Sequence, residues 1–204
     1  MTTLYFAPGA CSLAPHIVLE WIGAPYSAVK VGYGSPELLA VNPAGAVPTL
    51  IEDDGWLLTQ AGAVLDYLAG KHPEADLAGG DSLREVAESH RWSSFFTGDL
   101  HPAFFPIFMP YRYTTGGEAE RAQVVEAGHA LVRKQLTILN NHLADKEWVL
   151  GRRSVIDAYA FPMIRWAIAR VPGGLADFPH VQALHDRLAA DPAVQKVLAD
   201  EAAA

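Results

Sequence analysis

Apolar positions in the first quarter of the chain follow two rhythms. Thr3 to Phe6 and Tyr26 to Val31 are short β-prone runs bounded by turn residues, and they predict strands. Between them Leu13, Ile17 and Trp21 recur at i, i+4 and i+8, with Ala14, Val18 and Ile22 one position over. That spacing predicts an amphipathic helix whose other side carries His16 and Glu20. Ser12 stands where its N-cap would be, which puts Pro15 in the first turn. Ser35 to Ala40 reads as a helical turn. Asn42-Pro43-Ala44-Gly45-Ala46-Val47 then leads into a strand opening at Pro48, a position where strands tolerate proline. Asp53-Asp54-Gly55 predicts a tight turn and Trp56 to Leu58 the returning strand. Thr59 is the expected cap of a helix with apolar Ala61, Val64, Leu65 and Leu68, stopped by Gly70 and Pro73. The order strand, helix, strand, strand, strand, helix predicts a small α/β domain over residues 1–77.

Beyond it the strand pattern stops. Residues 78–85, with Ala78-Gly79-Gly80, read as a linker, and 86–204 as an all-helical domain. Ser82 and Glu85 have capping-box spacing ahead of a helix with Val86, Trp92, Phe95, Phe96 and Leu100, which should bend or break at Pro102. A long helix is expected from Glu118 to Leu143. A third follows Gly151, with Ser154 and Asp157 at capping-box spacing and Pro162 as a possible kink. Two shorter ones run from Val181 to Ala189 and from Pro192 to Ala199. Phe104, Phe105, Phe108, Met109, Tyr111 and Tyr113 form an aromatic run that Pro106 and Pro110 should keep irregular. It fits a core segment or, with Trp166, the wall of an apolar pocket.

Composition narrows the function classes. Half of the 204 residues are hydrophobic, enough for a sizeable core, and the formal charge of −8 disfavours a general affinity for nucleic acid or an anionic membrane surface. A single cysteine allows no internal disulfide. There is no secretion-leader pattern and no run of about 20 apolar residues, so the expectation is a cytoplasmic protein off the membrane. No metal is expected, since neither His-Glu-x-x-His nor Cys-x-x-Cys occurs. Cys11 stands where a strand turns into a helix start, a position that favours thiolates and anions; its plain alternative is a small buried hydrophobe. His101 is either a satisfied structural histidine beside the helix break or a site residue.

Three motifs resemble a known family. Tyr5-x-x-Pro8-Gly9-Ala10-Cys11-Ser12-Leu13-Ala14 closely resembles the N-terminus of bacterial beta-class cytosolic glutathione transferases. Asn42-Pro43-x-Gly45-x-Val47-Pro48 is similar to the family's turn before its cis-proline, and Gly151-x-x-Ser154-x-x-Asp157-Ala158-Tyr159 to the capping box in its helical domain. Leu100-His101-x-x-Phe104 sits where beta-class enzymes carry a histidine facing the glutathione site. The resemblance covers nearly the whole chain. It implies a thioredoxin-like α/β domain followed by an all-α bundle, with glutathione as co-substrate and a homodimer.

The same resemblance implies site roles. Cys11, Ser12 and His101 are the catalytic candidates around the glutathione sulfur, with Tyr5 a lesser one by position. Val47 and Pro48 would pair with the cysteinyl part, and Gln60 and Ala61, at the third helix start, would take the γ-glutamyl carboxylate. Ser94 and Asp99 join the glutathione-binding set, with Arg91 and Ser94 near a partner subunit's site. Phe104, Phe105, Phe108, Tyr111 and Trp166 would receive a small hydrophobic electrophile. One departure stands out: the family lysine that reaches the glycine carboxylate has no counterpart in Gly32-Tyr33-Gly34-Ser35-Pro36. Two rival functions share the resemblance. One is a glutathione-dependent thiol–disulfide oxidoreductase or peroxidase using Cys11; the other is a transferase-like module that only binds a partner.

Overall fold

The period-two runs near the start of the chain pair into one mixed sheet. The computed structural model describes residues 1–204. β1 (Thr2–Phe6) lies parallel to β2 (Tyr26–Lys30) and antiparallel to β3 (Thr49–Ile51), and β4 (Leu57–Thr59) completes the hairpin, in the order β2-β1-β3-β4. α1 (Leu13–Ile22) is the crossover between the parallel pair, α2 (Pro36–Val41) follows β2, and α3 (Ala61–Lys71) follows β4. Thr2, Leu4 and Phe6 alternate inwards from β1, as a half-buried strand requires.

Two expected caps are absent. Ser12 makes no capping bond to α1; its hydroxyl accepts the Ala7 N–H (3.2 Å) and donates to the Ala7 carbonyl (3.3 Å). Thr59 ends β4, and Gln60 takes the position before α3 with φ +73°, left-handed backbone that is strained for a non-glycine residue. α1 is also more enclosed than its pattern predicts. His16 is 2 % exposed because the last helix covers that side.

From α4 (Leu83–Ser94) onward every regular element is helical. Ser82 and Glu85 form the expected capping box, and the helix begins early enough to absorb Leu83 to Glu85 of the expected linker. The α4 axis continues through a π-helical turn, Phe95–Leu100, into α5 (His101–Ala103). α6 (Phe105–Phe108) and a 3₁₀ turn, Pro110–Arg112, follow. The aromatic run is therefore a chain of short helical pieces. Pro106 and Pro110 each sit in the first turn of a short piece, where a missing N–H costs least, and Pro102 follows directly on the π-helical turn. α7 (Glu118–His142), α8 (Val155–Arg170), α9 (Pro179–Ala189) and α10 (Pro192–Ala203) complete the bundle.

α8 is the buried axis of the helical part, enclosed from Val155 to Ile164 with Pro162 inside it. Its start is tied by the fully buried Asp157. One carboxylate oxygen accepts the Ser154 N–H (2.8 Å) and hydroxyl (2.9 Å), and the other accepts the Val149 N–H (2.9 Å). Burial outweighs these bonds and pushes Asp157 up to about 6. One continuous core joins the sheet to the bundle, from Leu4 and Val18 through Leu65 and Phe96 to Phe161 and Val197. Each such side chain contributes about 1.5–3 kcal/mol by its removal from water, so the two halves share their stability across the cleft described next.

Candidate active site

A cleft of about 1070 Å³ separates the sheet-bearing half from the bundle. Its first wall is largely backbone. The β1–α1 turn contributes Pro8, Gly9, Ala10 and Cys11, with Gly9 at φ +70°. Opposite that turn lies the segment from Asn42 to Pro48. The Asn42 side chain holds it by donating to the Ala46 carbonyl (2.8 Å) and Thr49 hydroxyl (3.0 Å) and accepting the Ala44 N–H (3.0 Å). Gly45 (φ +59°) is required here, because a Cβ would meet the Gly34 Cα at 3.1 Å. The Val47–Pro48 bond is cis. The N-terminus of α3 closes this wall with Gln60 and Ala61, and helix-start N–H groups lack intrahelical acceptors.

The second wall is aromatic. Phe105, Phe108, Tyr111 and Trp166 line it together with His101 and Tyr159. The Trp166 indole packs 5.1 Å from the His101 ring and edge-on to Phe108 at 5.3 Å. Its Nε1–H donates to the Gly9 carbonyl (2.8 Å). From α10, the Glu201 carboxylate accepts the Gly9 N–H (2.9 Å) and holds His16 Nδ1 at 3.0 Å, with both side chains almost wholly buried. Both backbone polar groups of Gly9, two residues before Cys11, are thus fixed by helices from the other half of the chain.

The chemistry at the centre is that of neutral groups. The Cys11 thiol donates to the Val47 carbonyl (3.3 Å), and burial pushes it up to about 11 despite the helix start that follows. The thiolate that the helix start would favour is therefore not the resting form of Cys11. His101 Nδ1 lies 3.0 Å from the Tyr159 hydroxyl, and burial pulls the imidazole down to about 4. It is neutral at physiological pH and adds no charge to a sulfur. Burial raises the Tyr159 phenol as well, and the nearness of Cys11 raises it further. Cys11, Val47, His101 and Tyr159 all face the cleft, grouping thiol, backbone carbonyl, imidazole and phenol where the two walls meet.

Other expected residues lie elsewhere. Ser12 is fully buried with its hydroxyl spent on Ala7, so it offers nothing to the cleft. Tyr5 packs against the small cluster of Ala7, Val31, Leu38 and Val47, outside the cleft. Phe104 is fully buried behind the aromatic wall, stacked on Phe108 at 5.7 Å and edge-on to Trp166 at 5.4 Å. Ser94 and Asp99 are exposed and do not line the cleft. Sequence reading missed Tyr159, Thr97 and Arg112 on the walls and Glu201 behind them. Tyr159 had a usable cue: it lies two residues past the buried cap Asp157, on the first turns of α8.

Comparisons with known proteins agree with this geometry. Residues 5–76 match the family model described as glutathione S-transferase, N-terminal domain, and residues 98–192 match glutathione S-transferase, C-terminal domain. The glutathione S-transferase GST-4.5 of Xanthomonas campestris pv. campestris is 37 % identical, over 97 % of this chain and 98 % of that protein. A bacterial beta-class glutathione S-transferase of Sphingomonas chungbukensis superposes with a TM-score of 0.86 at 35 % identity, covering 98 % of each chain. A sphingomonad glutathione S-transferase solved in complex with glutathione gives a TM-score of 0.86 at 32 % identity, over 99 % of this chain and all of that one. With both family models matched across the two walls of one cleft, the chain belongs to the glutathione S-transferase family.

Proposed function

We propose that the protein binds glutathione along the backbone-lined wall and transfers its sulfur to an electrophilic apolar acceptor held by the aromatic wall. The observation that carries this is the meeting of Cys11, Val47, His101 and Tyr159 between a wall of backbone groups and a wall of rings. An extended peptide placed along Val47 finds strand-like partners in that residue's N–H and carbonyl. A carboxylate at Gln60 and Ala61 meets the N–H groups and the dipole of the α3 start. The strained backbone of Gln60 fits a position where local geometry serves a ligand.

The sulfur then sits among neutral donors. Tyr159 O–H donates to His101 Nδ1 in the arrangement that leaves the imidazole Nε2–H free, and the Cys11 thiol supplies a second donor once it leaves Val47. Donors held in place before the ligand arrives stabilise a thiolate without a charged partner. The thiol proton leaves to solvent as the tripeptide binds. In the transfer step the sulfur lone pair forms the carbon–sulfur bond and the acceptor's leaving group departs with its bonding pair. Direct disulfide chemistry at Cys11 has less support, because burial holds that thiol protonated.

Cytoplasmic location and a symmetric homodimer complete the proposal. In that dimer Arg91, Ser94 and Asp99, all exposed on one protomer, turn toward the partner. Formation of an adduct between glutathione and an activated aryl halide tests the whole reading. Conjugation above the uncatalysed rate, competed by S-methylglutathione, is the expected result. Failure of the protein to bind S-methylglutathione would remove the reading.

A further inference from the structure

Arg112 is the one residue on the cleft walls with a formal charge at neutral pH, since His101 is held neutral by its burial. No carboxylate lines the cleft beside it. Arg91, Arg133, Arg152 and Arg153 pair with acidic side chains; of the arginines without such a partner, Arg112 is the one that lines the cleft. Its backbone is fixed: the 3₁₀ turn Pro110–Arg112 is closed by the Arg112 N–H on the Met109 carbonyl (3.0 Å). Arg112 lines the cleft and, like Tyr111 beside it, is exposed, which places it on the solvent-facing side of the aromatic wall.

Resting on the transferase reading, we propose that Arg112 selects acceptors that carry a carboxylate. That reading gives the glutathione peptide to Val47, Gln60 and Ala61 of the first wall, and groups Cys11, His101 and Tyr159 around its sulfur. Arg112 belongs to the opposite wall, in the same short stretch as Phe105 and Phe108. An acceptor with its ring against Phe108 and Trp166 presents its outer substituents to the mouth, where a planar guanidinium suits a carboxylate held by two N–H groups. The cleft interior offers such an anion no competing charge, and Arg112 loses no existing ion pair by binding it. The rival role is the glycine carboxylate of glutathione, for which residues 32–36 supply no cation.

Four glutathione derivatives separate these roles without requiring turnover: S-methylglutathione, S-benzylglutathione, and S-(carboxybenzyl)glutathione in its meta and para forms. Titration calorimetry on the wild-type protein should show one carboxybenzyl isomer binding at least fivefold more tightly than S-benzylglutathione. Arg112→Gln should erase that preference and leave S-methylglutathione within twofold of wild type, and Arg112→Lys should restore part of it. The preference should fall with added salt, because the site is open to solvent. An equal weakening of all the derivatives in Arg112→Gln would assign Arg112 to glutathione itself and overturn the proposal. No preference for either isomer in the wild type would also overturn it while leaving the transferase reading intact. If S-methylglutathione fails to bind, the transferase reading and this one fall together.

Discussion

The reactivity of Cys11 offers the most direct test of how burial and helix start compete at this site. The thiol rises from an ordinary 9.0 to about 11, with burial the largest cause; the N–H groups of Cys11 and Ser12 lower it by less. Two pH units are roughly a hundredfold in thiolate at any pH well below 9. At pH 7.5 about one thiol in 3,000 would be ionised, against about one in 30 for a free cysteine. Cys11 is the only cysteine, so intact mass reports its alkylation by iodoacetamide without ambiguity. The enclosed thiol, 9 % exposed, slows reaction at every pH, which makes the shape of the profile the cleaner readout. The logarithm of the rate should climb by one per pH unit from pH 7 to 10 with no plateau. Exchange with oxidised glutathione at neutral pH should be correspondingly slow. A plateau with its midpoint at or below pH 8.5 would refute the reasoning and return Cys11 to the class of activated thiols.

Two further outcomes follow from the buried carboxylates. Asp157 binds its proton more tightly in the folded state, so the stability it gains from protonation is complete below about pH 4 and lost as pH rises through about 6. Asp157→Ala, which strands the N–H groups of Val149 and Ser154, should cost about 1–3 kcal/mol in urea unfolding. That cost should be larger at pH 5 than at pH 7.5 by about 1.4 kcal/mol; equal costs at the two pH values would contradict the raised pKa. Glu201→Ala removes the acceptor for Gly9 and the partner of buried His16, and should lose about 1–3 kcal/mol while speeding hydrogen exchange at the Gly9 amide. Glu201→Gln should slow that exchange again, and unchanged exchange in the alanine variant would show the Gly9 contact to be incidental.

What the sequence made legible was chiefly local. Short β-prone runs and the turns that bound them located every strand, and period-3.6 spacing every long helix, because a helix packed on one side cannot avoid that spacing. Capping boxes at Ser82 and Ser154 marked two starts within a residue. The errors arose where a distant segment decides the outcome. Ser12 has an N-cap's identity, but the neighbouring turn takes its hydroxyl. His16 has a solvent-facing residue's spacing, yet α10, some 185 positions on, covers it. Cys11 occupies a place that would lower a thiol's pKa on a bare helix; the bundle that buries it appears nowhere in the local pattern. Pro106 and Pro110 do keep the aromatic run irregular, as a four-residue helix and a 3₁₀ turn, whereas at Pro102 the expected bend or break becomes a π-helical turn that runs on into α5.

The two walls of the cleft also differ in what a sequence can encode about them. The first wall acts through backbone: the Val47 carbonyl, the helix start at Gln60 and Ala61, and the turn at Gly9. Its requirements are conformational, so the residues that betray it are those that shape a chain, Asn42, Gly45 and Pro48. On the proposed reading such a wall takes an extended peptide with an anion at the right end and tolerates change in its side chains. The second wall acts through side chains, and its residues do separate jobs. Phe108 and Trp166 supply apolar surface, Tyr159 and His101 supply donors, and Arg112 supplies charge. Substitution there alters what is accepted while the first wall stays intact. The hydrogen bonds of Trp166 and Glu201 to Gly9 then become the link between the two. They hold the turn at Gly9 in register with the bundle, so on the proposed reading the aromatic wall can vary in specificity without moving the glutathione sulfur.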